Sequence, residues 1–238
     1  MGGFFFWNRD REYATGIAER RSVTLKDGSV IHLDSFTRLF VRQTKWAREV
    51  RLVSGRAVFD VAPDPERPFE VAAEQGFIRV LGTVFEVNLI SSEQSSVMAK
   101  RTGLLEVRVE EGSVGIGIKG MDSEDAPVNL KAGDMVSRRV GERDLEVSRF
   151  EVSEFGDWRS GRLVYRARPL KYVLADLQRE YGGEIIVVDR SLGDLPVSGT
   201  LRTYDLDEAF AVLITILPIT LEQFDGGVLI RRKTFIEQ

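Results

Sequence analysis

From Ser22 to about Phe150, apolar and polar residues alternate in short runs broken by turn residues, which is the period of half-buried β-strands. "SVTLKDGSVIHL" places Asp27-Gly28 between two such runs, a hairpin signal. "EVRLVSGRAVFDV" repeats the pattern around Ser54-Gly55, with Ala57, Phe59 and Val61 on one face. In "APDPERPF", Pro63, Pro65 and Pro68 force an extended connection. "LLEVRVEEGSVGIGI" then offers Leu105, Val107 and Val109, a Glu-Glu-Gly turn, and Val114, Ile116 and Ile118. No window here sustains a helical period, so the pattern predicts an all-β unit of about ten short strands, a sandwich or coiled β-roll.

One run breaks its own parity. In "VLGTVFEV", Ile78 and Val80 are even-numbered, whereas Phe85, Val87 and Leu89 are odd-numbered. A strand pleated straight through Gly82 would turn its core face to water. Gly82, Thr83 and Phe85 therefore mark either a bulged, bent strand crossing the core or a plain break between two strands.

After "SRFEVSEFGDWRSG" the period changes. In "PLKYVLADLQREYGG", Leu170, Val173, Leu174, Leu177 and Tyr181 form one helical stripe closed by Gly182-Gly183. Asp205 and Glu208 look like a capping box, followed by the stripe Leu206, Ala209, Phe210, Leu213 and Leu217. The two stripes align at an offset of 36 residues, Leu170 with Leu206 and Leu177 with Leu213, and each is flanked by apolar strand-like runs. The fold class expected is mainly β plus α+β: an all-β domain over 21–150, then a small double β-α-β domain over 157–238 ending in "GVLIRR". The charges Arg231, Arg232 and Lys233 read as protection of an edge strand.

The segment "MGGFFFWNRDREY" is too short to span a bilayer and lacks a basic start, so it is no intact signal peptide. It reads either as the exit end of a membrane helix followed by a polar stalk, over residues 1–20, or as an apolar tag packed on the domain. A net charge of −4 gives no support to nucleic-acid binding. The chain has no cysteine, which removes disulfides and thiol chemistry.

Catalytic signals are absent. "GIGIKG", with Gly115, Gly117 and Gly120, spells a dinucleotide motif, but a polar loop follows where a helix would have to begin. His32, the sole histidine, lies between Ile31 and Leu33 and reads as an ordinary strand residue. Asp122, Glu124 and Asp125 lack the spacing of a calcium loop. The expectation is no enzyme, with no catalytic, cofactor-binding or metal-binding residue.

"VTLKDGSVIHLDSFTRL", "REVRLVSGRAVFDVAPDPERPFEV", "IRVLGTVFEVNL" and "LEVRVEEGSVGI...NLKAGD" resemble, in order and spacing, the motifs of FecR-type transmembrane anti-sigma regulators. "DWRSGRLVYRARPLKYVLADLQREYGGEIIV" and the repeat after it resemble that family's C-terminal part, itself similar to the short N-terminal (STN) domain of secretins and TonB-dependent receptors. The resemblance implies the periplasmic part of an inner-membrane cell-surface signalling regulator. Its partners would be the signalling domain of a TonB-dependent outer-membrane transporter and, through a cytoplasmic domain absent here, an extracytoplasmic-function sigma factor. Iron-siderophore uptake is the process implied, and most of the membrane anchor would be missing from this chain. The competing reading is a periplasmic carbohydrate- or peptidoglycan-associated binding protein.

An exposed strand edge can take a partner strand through main-chain hydrogen bonds. The expected partner surface is the strand around Val197, Gly199, Leu201 and Arg202, with Tyr165, Tyr172 and Tyr204 as exposed interface tyrosines that could equally pack on their own helices.

Overall fold

The computed structural model describes residues 10–90, 103–118, 127–142 and 144–234. Its N-terminal part holds β1 (Arg11–Ala14), β2 (Arg21–Thr24), β3 (Val30–Leu33), β4 (Arg38–Gln43), β5 (Arg48–Asp60), β6 (Phe69–Ala73) and β7 (Gly76–Val80). It continues with β8 (Val84–Ile90), β9 (Leu104–Glu111), β10 (Ser113–Ile118), β11 (Val128–Lys131), β12 (Asp134–Arg139) and β13 (Glu146–Arg149). One layer runs β1-β4-β5-β6-β7-β10-β11 and the other β2-β3-β5-β8-β9-β12-β13, so β5 alone belongs to both. The layers close over one apolar core that includes Leu39, Leu52, Phe69, Ile78 and Ile116 from the first, and Ile31, Leu33, Phe59, Phe85 and Val107 from the second. Phe59 and Phe85 stack at 5.1 Å at its centre.

The Asp27-Gly28 hairpin forms as expected, joining β2 to β3 with Gly28 at φ 89°. Three other expectations change. Ser54-Gly55 does not turn the chain back: β5 runs straight on, its bend set by an unpaired Val53 and by Gly55 at φ 92°. The bent, bulged strand that crosses the sandwich is thus β5, and "VLGTVFEV" is the plain break. There β7 ends in one layer and β8 begins in the other. A Cβ on Gly82 would stand 2.8 Å from Pro63 Cα, so this glycine serves a close approach. Thr83 Oγ1 donates to Ser113 O at 2.9 Å, tying the crossing to the next one, and Phe85 is fully buried. Thirdly, residues 11–14, expected within a stalk, pair with β4 as a sheet strand. The run before them, residues 1–9, lies outside the described residues, as does the acidic group Asp122, Glu124 and Asp125.

The C-terminal part is built from β14 (Arg162–Pro169), α1 (Leu170–Gln178), β15 (Glu184–Val187), β16 (Pro196–Arg202), α2 (Leu206–Ile216), β17 (Ile219–Phe224) and β18 (Gly227–Arg232). The repeated strand-helix-strand order matches the offset in the sequence. Both stripes are interior: Leu170, Leu174, Leu177, Phe210 and Leu213 share one cluster. Asp205 caps α2 by accepting from the Glu208 amide at 2.9 Å. The strands divide into an antiparallel β14-β16 pair and a sheet of order β15-β18-β17. β18 is therefore a central strand, not the edge that its charges suggested. Arg231 and Arg232 instead lie beside Glu222 and Asp189 at 3.3 and 3.1 Å.

Candidate partner-binding surface and the junction behind it

β16 pairs with β14 along one side only, and among the described residues no strand occupies its other side. Which main-chain groups face out follows from the ladder. The Thr203 amide donates to Gly161 O, so Leu201 and Gly199 fall in hydrogen-bonded pairs with Leu163 and Tyr165. Alternation then turns the N–H and C=O of Thr200 and Arg202 away from β14. On the strand's faces, Val197 and Leu201 are buried, whereas Ser198, Gly199, Thr200 and Arg202 are exposed. Gly199 sits at φ 140°, opposite an irregularity in β14 where Ala167 takes φ 49° and its amide binds Ser198 Oγ.

The three tyrosines part company. Tyr204 is 71% exposed directly beyond β16, but Tyr165 and Tyr172 are each only 7% exposed. Tyr165 donates its hydroxyl to Asp176 Oδ2 at 3.1 Å, and Tyr172 lies under the Arg168 guanidinium at 5.0 Å. Neither offers a free surface, because packing of the C-terminal part on the sandwich covers both. Val197 and Leu201 likewise face inward and contribute to a partner contact only through their strand's backbone. On the last turn of α2, Ile214 and Ile216 are exposed at 36% and 48%.

That packing uses a buried polar network which the sequence pattern hides. Arg56, Glu86, Asn88, Glu106 and Arg108 project from the outer face of β5, β8 and β9, the positions that alternate with the core and so resemble solvent-facing residues. The C-terminal part covers them. Trp158, held in a short turn between left-handed Gly156 and Gly161, donates its indole N–H to Glu86 at 2.6 Å. Arg168 forms a two-pronged pair with Glu106, Nη2 to Oε2 at 2.9 Å. Arg179 reaches Asn88 Oδ1 at 2.7 Å and Asp176 at 3.3 Å. Arg56 binds Asp34 at 2.8 Å through Nε, lies 3.8 Å from Asp176 and 5.4 Å from the Trp158 ring. Arg20 closes the far end, bridging Asp34 and Glu180, which Ser35 also binds at 3.0 Å.

Burial and charge act against each other at these groups. Burial pushes the Glu106 carboxyl up, but Arg168, then Arg108 and Asn88, outweigh it and hold its pKa at about 2. Burial opposes the charge of Arg56, yet Asp34, Asp176 and Glu86 raise its pKa overall. Arg179 is lowered because burial, with Arg56 adding to it, prevails over its acidic neighbours. Burial likewise raises Glu180 against the pull of Arg20. The depressed Glu106 gives a pH dependence of definite sign. An unfolded glutamate near its ordinary 4.5 binds a proton that the folded one, at about 2, refuses, so this contribution is complete above that range and lost as pH falls through it. Glu106→Gln is expected to flatten the decline in urea stability between pH 5 and 3 relative to wild type. Parallel curves would contradict the assignment.

The other sequence candidates remain apart. His32 lies in β3, with Nδ1 2.8 Å from Ser22 Oγ, its pKa lowered by burial and then by Arg159. Gly115 and Gly117 lie within β10, and the Phe77 ring occupies the place of a Cβ on Gly117, 2.2 Å away, so no helix terminus meets a phosphate there. Gly120 is outside the described residues. Among the described residues, no cluster of three or more acidic or histidine side chains has metal-site geometry.

Comparison with known proteins follows the same division of the chain. The family described as "FecR protein" matches residues 11–115, and that described as "FecR, C-terminal" matches residues 162–230. Two crystal structures, each described as a candidate anti-sigma factor from Parabacteroides distasonis ATCC 8503, superpose with TM-scores of 0.79 and 0.80 at 22% identity. Each covers 94% of this chain and 100% of its own. No curated protein matches the sequence.

Proposed function

Because the chain belongs to the FecR family, we propose that it is the periplasmic sensing part of a FecR-type anti-sigma regulator. In this reading it takes a signal from a substrate-loaded TonB-dependent outer-membrane transporter and relays it across the inner membrane to an extracytoplasmic-function sigma factor, for iron-siderophore uptake. The observation that carries the reading is the open side of β16. It presents main-chain donors and acceptors at Thr200 and Arg202, followed along the chain by the exposed Tyr204. A partner strand added there would be held by backbone hydrogen bonds, with the exposed side chains of Thr200, Arg202 and Tyr204 setting selectivity. The network beneath makes the receiving part and the sandwich a coupled unit, which suits a relay.

Titration calorimetry of the chain against the signalling domain of its transporter tests the reading. Thr200→Pro removes one outward N–H and leaves the β14 ladder intact, a substitution that edge strands tolerate. It is expected to weaken binding about tenfold or more, the equivalent of a lost hydrogen bond plus a steric clash. Wild-type affinity in Thr200→Pro would remove the edge as the receiving site. Failure of the intact chain to bind, together with binding to peptidoglycan fragments, would favour the carbohydrate-associated reading instead.

A further inference from the structure

Two glycines of the "GIGIKG" run occupy strand positions that ordinarily carry side chains. Gly115 and Gly117 lie on the outer face of β10, because Val114 and Ile116 between and beside them enter the sandwich core. Glycine weakens a strand, so each position calls for a cause. At Gly117 the cause is packing, since the Phe77 ring lies where a Cβ would be. At Gly115 neither the backbone nor the packing supplies one. It takes no left-handed φ, and the atom nearest to an added Cβ, Asn129 Oδ1, would stand 3.6 Å away in ordinary contact. The ladders of β10 with β7 and β11 run without a shift of register, which excludes a bulge. A bare strand position left after these exclusions marks a close approach to the backbone from outside.

The surroundings give the chemistry of what approaches. β10 lies between β7 and β11, with Gly115 opposite Arg79 on one side and Asn129 on the other. Side chains rise around the bare glycine and leave a solvent-open depression of about 360 Å³, within the size range of small-ligand sites. Its apolar part includes Phe77 and Leu81, 37% and 50% exposed. Its polar part is charge-balanced: Arg79 pairs with Glu70 at 2.6 Å, and the side chains of Ser113 and Asn129 make no hydrogen bond among the described residues. No peptide strand can pair at this floor, because β10 already uses its main-chain groups on β7 and β11. What remains is an aromatic and aliphatic surface beside an amide, a hydroxyl and a neutralised guanidinium. A pyranose ring matches it, offering a C–H face to Phe77 and hydroxyls to Asn129, Ser113 and Arg79.

We propose that the outer face of β7, β10 and β11 around Gly115 binds one pyranose unit of a neutral glycan. A plain hexose and an N-acetylhexosamine share this chemistry, and the test distinguishes them. The site belongs to the sandwich and uses none of the residues assigned to partner binding at β16.

The test titrates the full chain with cellotriose and with tri-N-acetylglucosamine and follows backbone amides by heteronuclear NMR. At least one of them is expected to bind with a dissociation constant of about 1 mM or tighter and to shift the amides of Gly115, Gly117 and Asn129. Gly115→Val fills the floor without a backbone conflict, so it is expected to melt no lower than wild type and yet to lose binding about tenfold or more. Asn129→Ala, on the edge strand β11, removes one hydrogen bond and is expected to weaken binding about fivefold. Absence of binding by both sugars, shifts confined to other surfaces, or unchanged affinity in both variants would each overturn the proposal. Shifts at these three amides with a transporter signalling domain and with neither sugar would also overturn it and make the face a protein contact. Failure here leaves the Thr200→Pro result at β16 untouched, and failure there leaves this site untouched.

Discussion

Arg168→Ala is expected to cost about 3–5 kcal/mol of stability, the scale of breaking a buried ion pair from one side. The residue joins β14 to the outer face of β9, and Glu106 beneath it is only 3% exposed. Without the guanidinium, Glu106 keeps Asn88 at 3.2 Å and the charge of Arg108, which do not replace a two-pronged pair. The carboxylate then either remains charged without its partner or takes up a proton, and both states cost free energy relative to wild type. Replacing both residues removes that penalty, so Arg168→Ala with Glu106→Leu is expected to be more stable than Arg168→Ala alone. Urea denaturation followed by tryptophan emission in a Trp7→Phe, Trp46→Phe background, which leaves Trp158 as the sole tryptophan, reads the effect at the junction itself. A single variant within about 1 kcal/mol of wild type would show that the pair is an accessory contact. Under the function proposed above, the consequence would be a loss of coupling: Arg168→Ala would leave binding at the β16 edge intact while lowering signal output.

How far the sequence foretold this arrangement depends on what each feature needs to be visible. The two helices and their repeat were legible because a buried stripe spaced by helical turns is a local property, and Leu170, Leu177, Leu206 and Leu213 carry it in plain view. The layered β character was legible for the same reason. The sheet to which each strand belongs was not. Gly55 and Gly82 both lie where an even-numbered core face becomes odd-numbered, Val50 and Leu52 giving way to Ala57 and Phe59 at the first. A bent strand and a break produce the same parity change, and only the partners of each segment, set far along the chain, distinguish them. The junction was hidden for a stronger reason. Arg56, Glu86, Asn88 and Glu106 occupy the positions that solvent-facing residues take, and nothing local says that another part of the chain will cover them. A faint sign existed: Val58, among these positions, is apolar, and it packs into the core of the C-terminal part. Tyr165 and Tyr172 erred in the opposite direction, since tyrosine suits both an interface and a packed ring with a bonded hydroxyl.

Gly55→Ala is expected to be at least as damaging as the loss of Arg168, about 4 kcal/mol or more, because two penalties coincide. The position holds φ 92°, which a side chain resists, and the added Cβ would stand 2.5 Å from Thr37 Cα and 2.4 Å from its Oγ1. Thr37 cannot step aside cheaply. It is 1% exposed, its Oγ1 accepts from the Arg56 amide at 3.1 Å and donates to Arg56 O at 3.0 Å, and its own amide binds Thr15 Oγ1 at 2.9 Å. Gly141 separates the two causes: it has φ 89° but open space around its missing Cβ, so Gly141→Ala should cost only the backbone share, about 1–2 kcal/mol. Equal losses in the two variants, measured by thermal and urea unfolding, would mean that the approach to Thr37 relaxes easily. The greater loss at Gly55 also reaches the junction. The residue that follows it is Arg56, which reaches Asp34, Asp176 and the Trp158 ring, so a corner displaced by a methyl group misaims the side chain on which the junction converges.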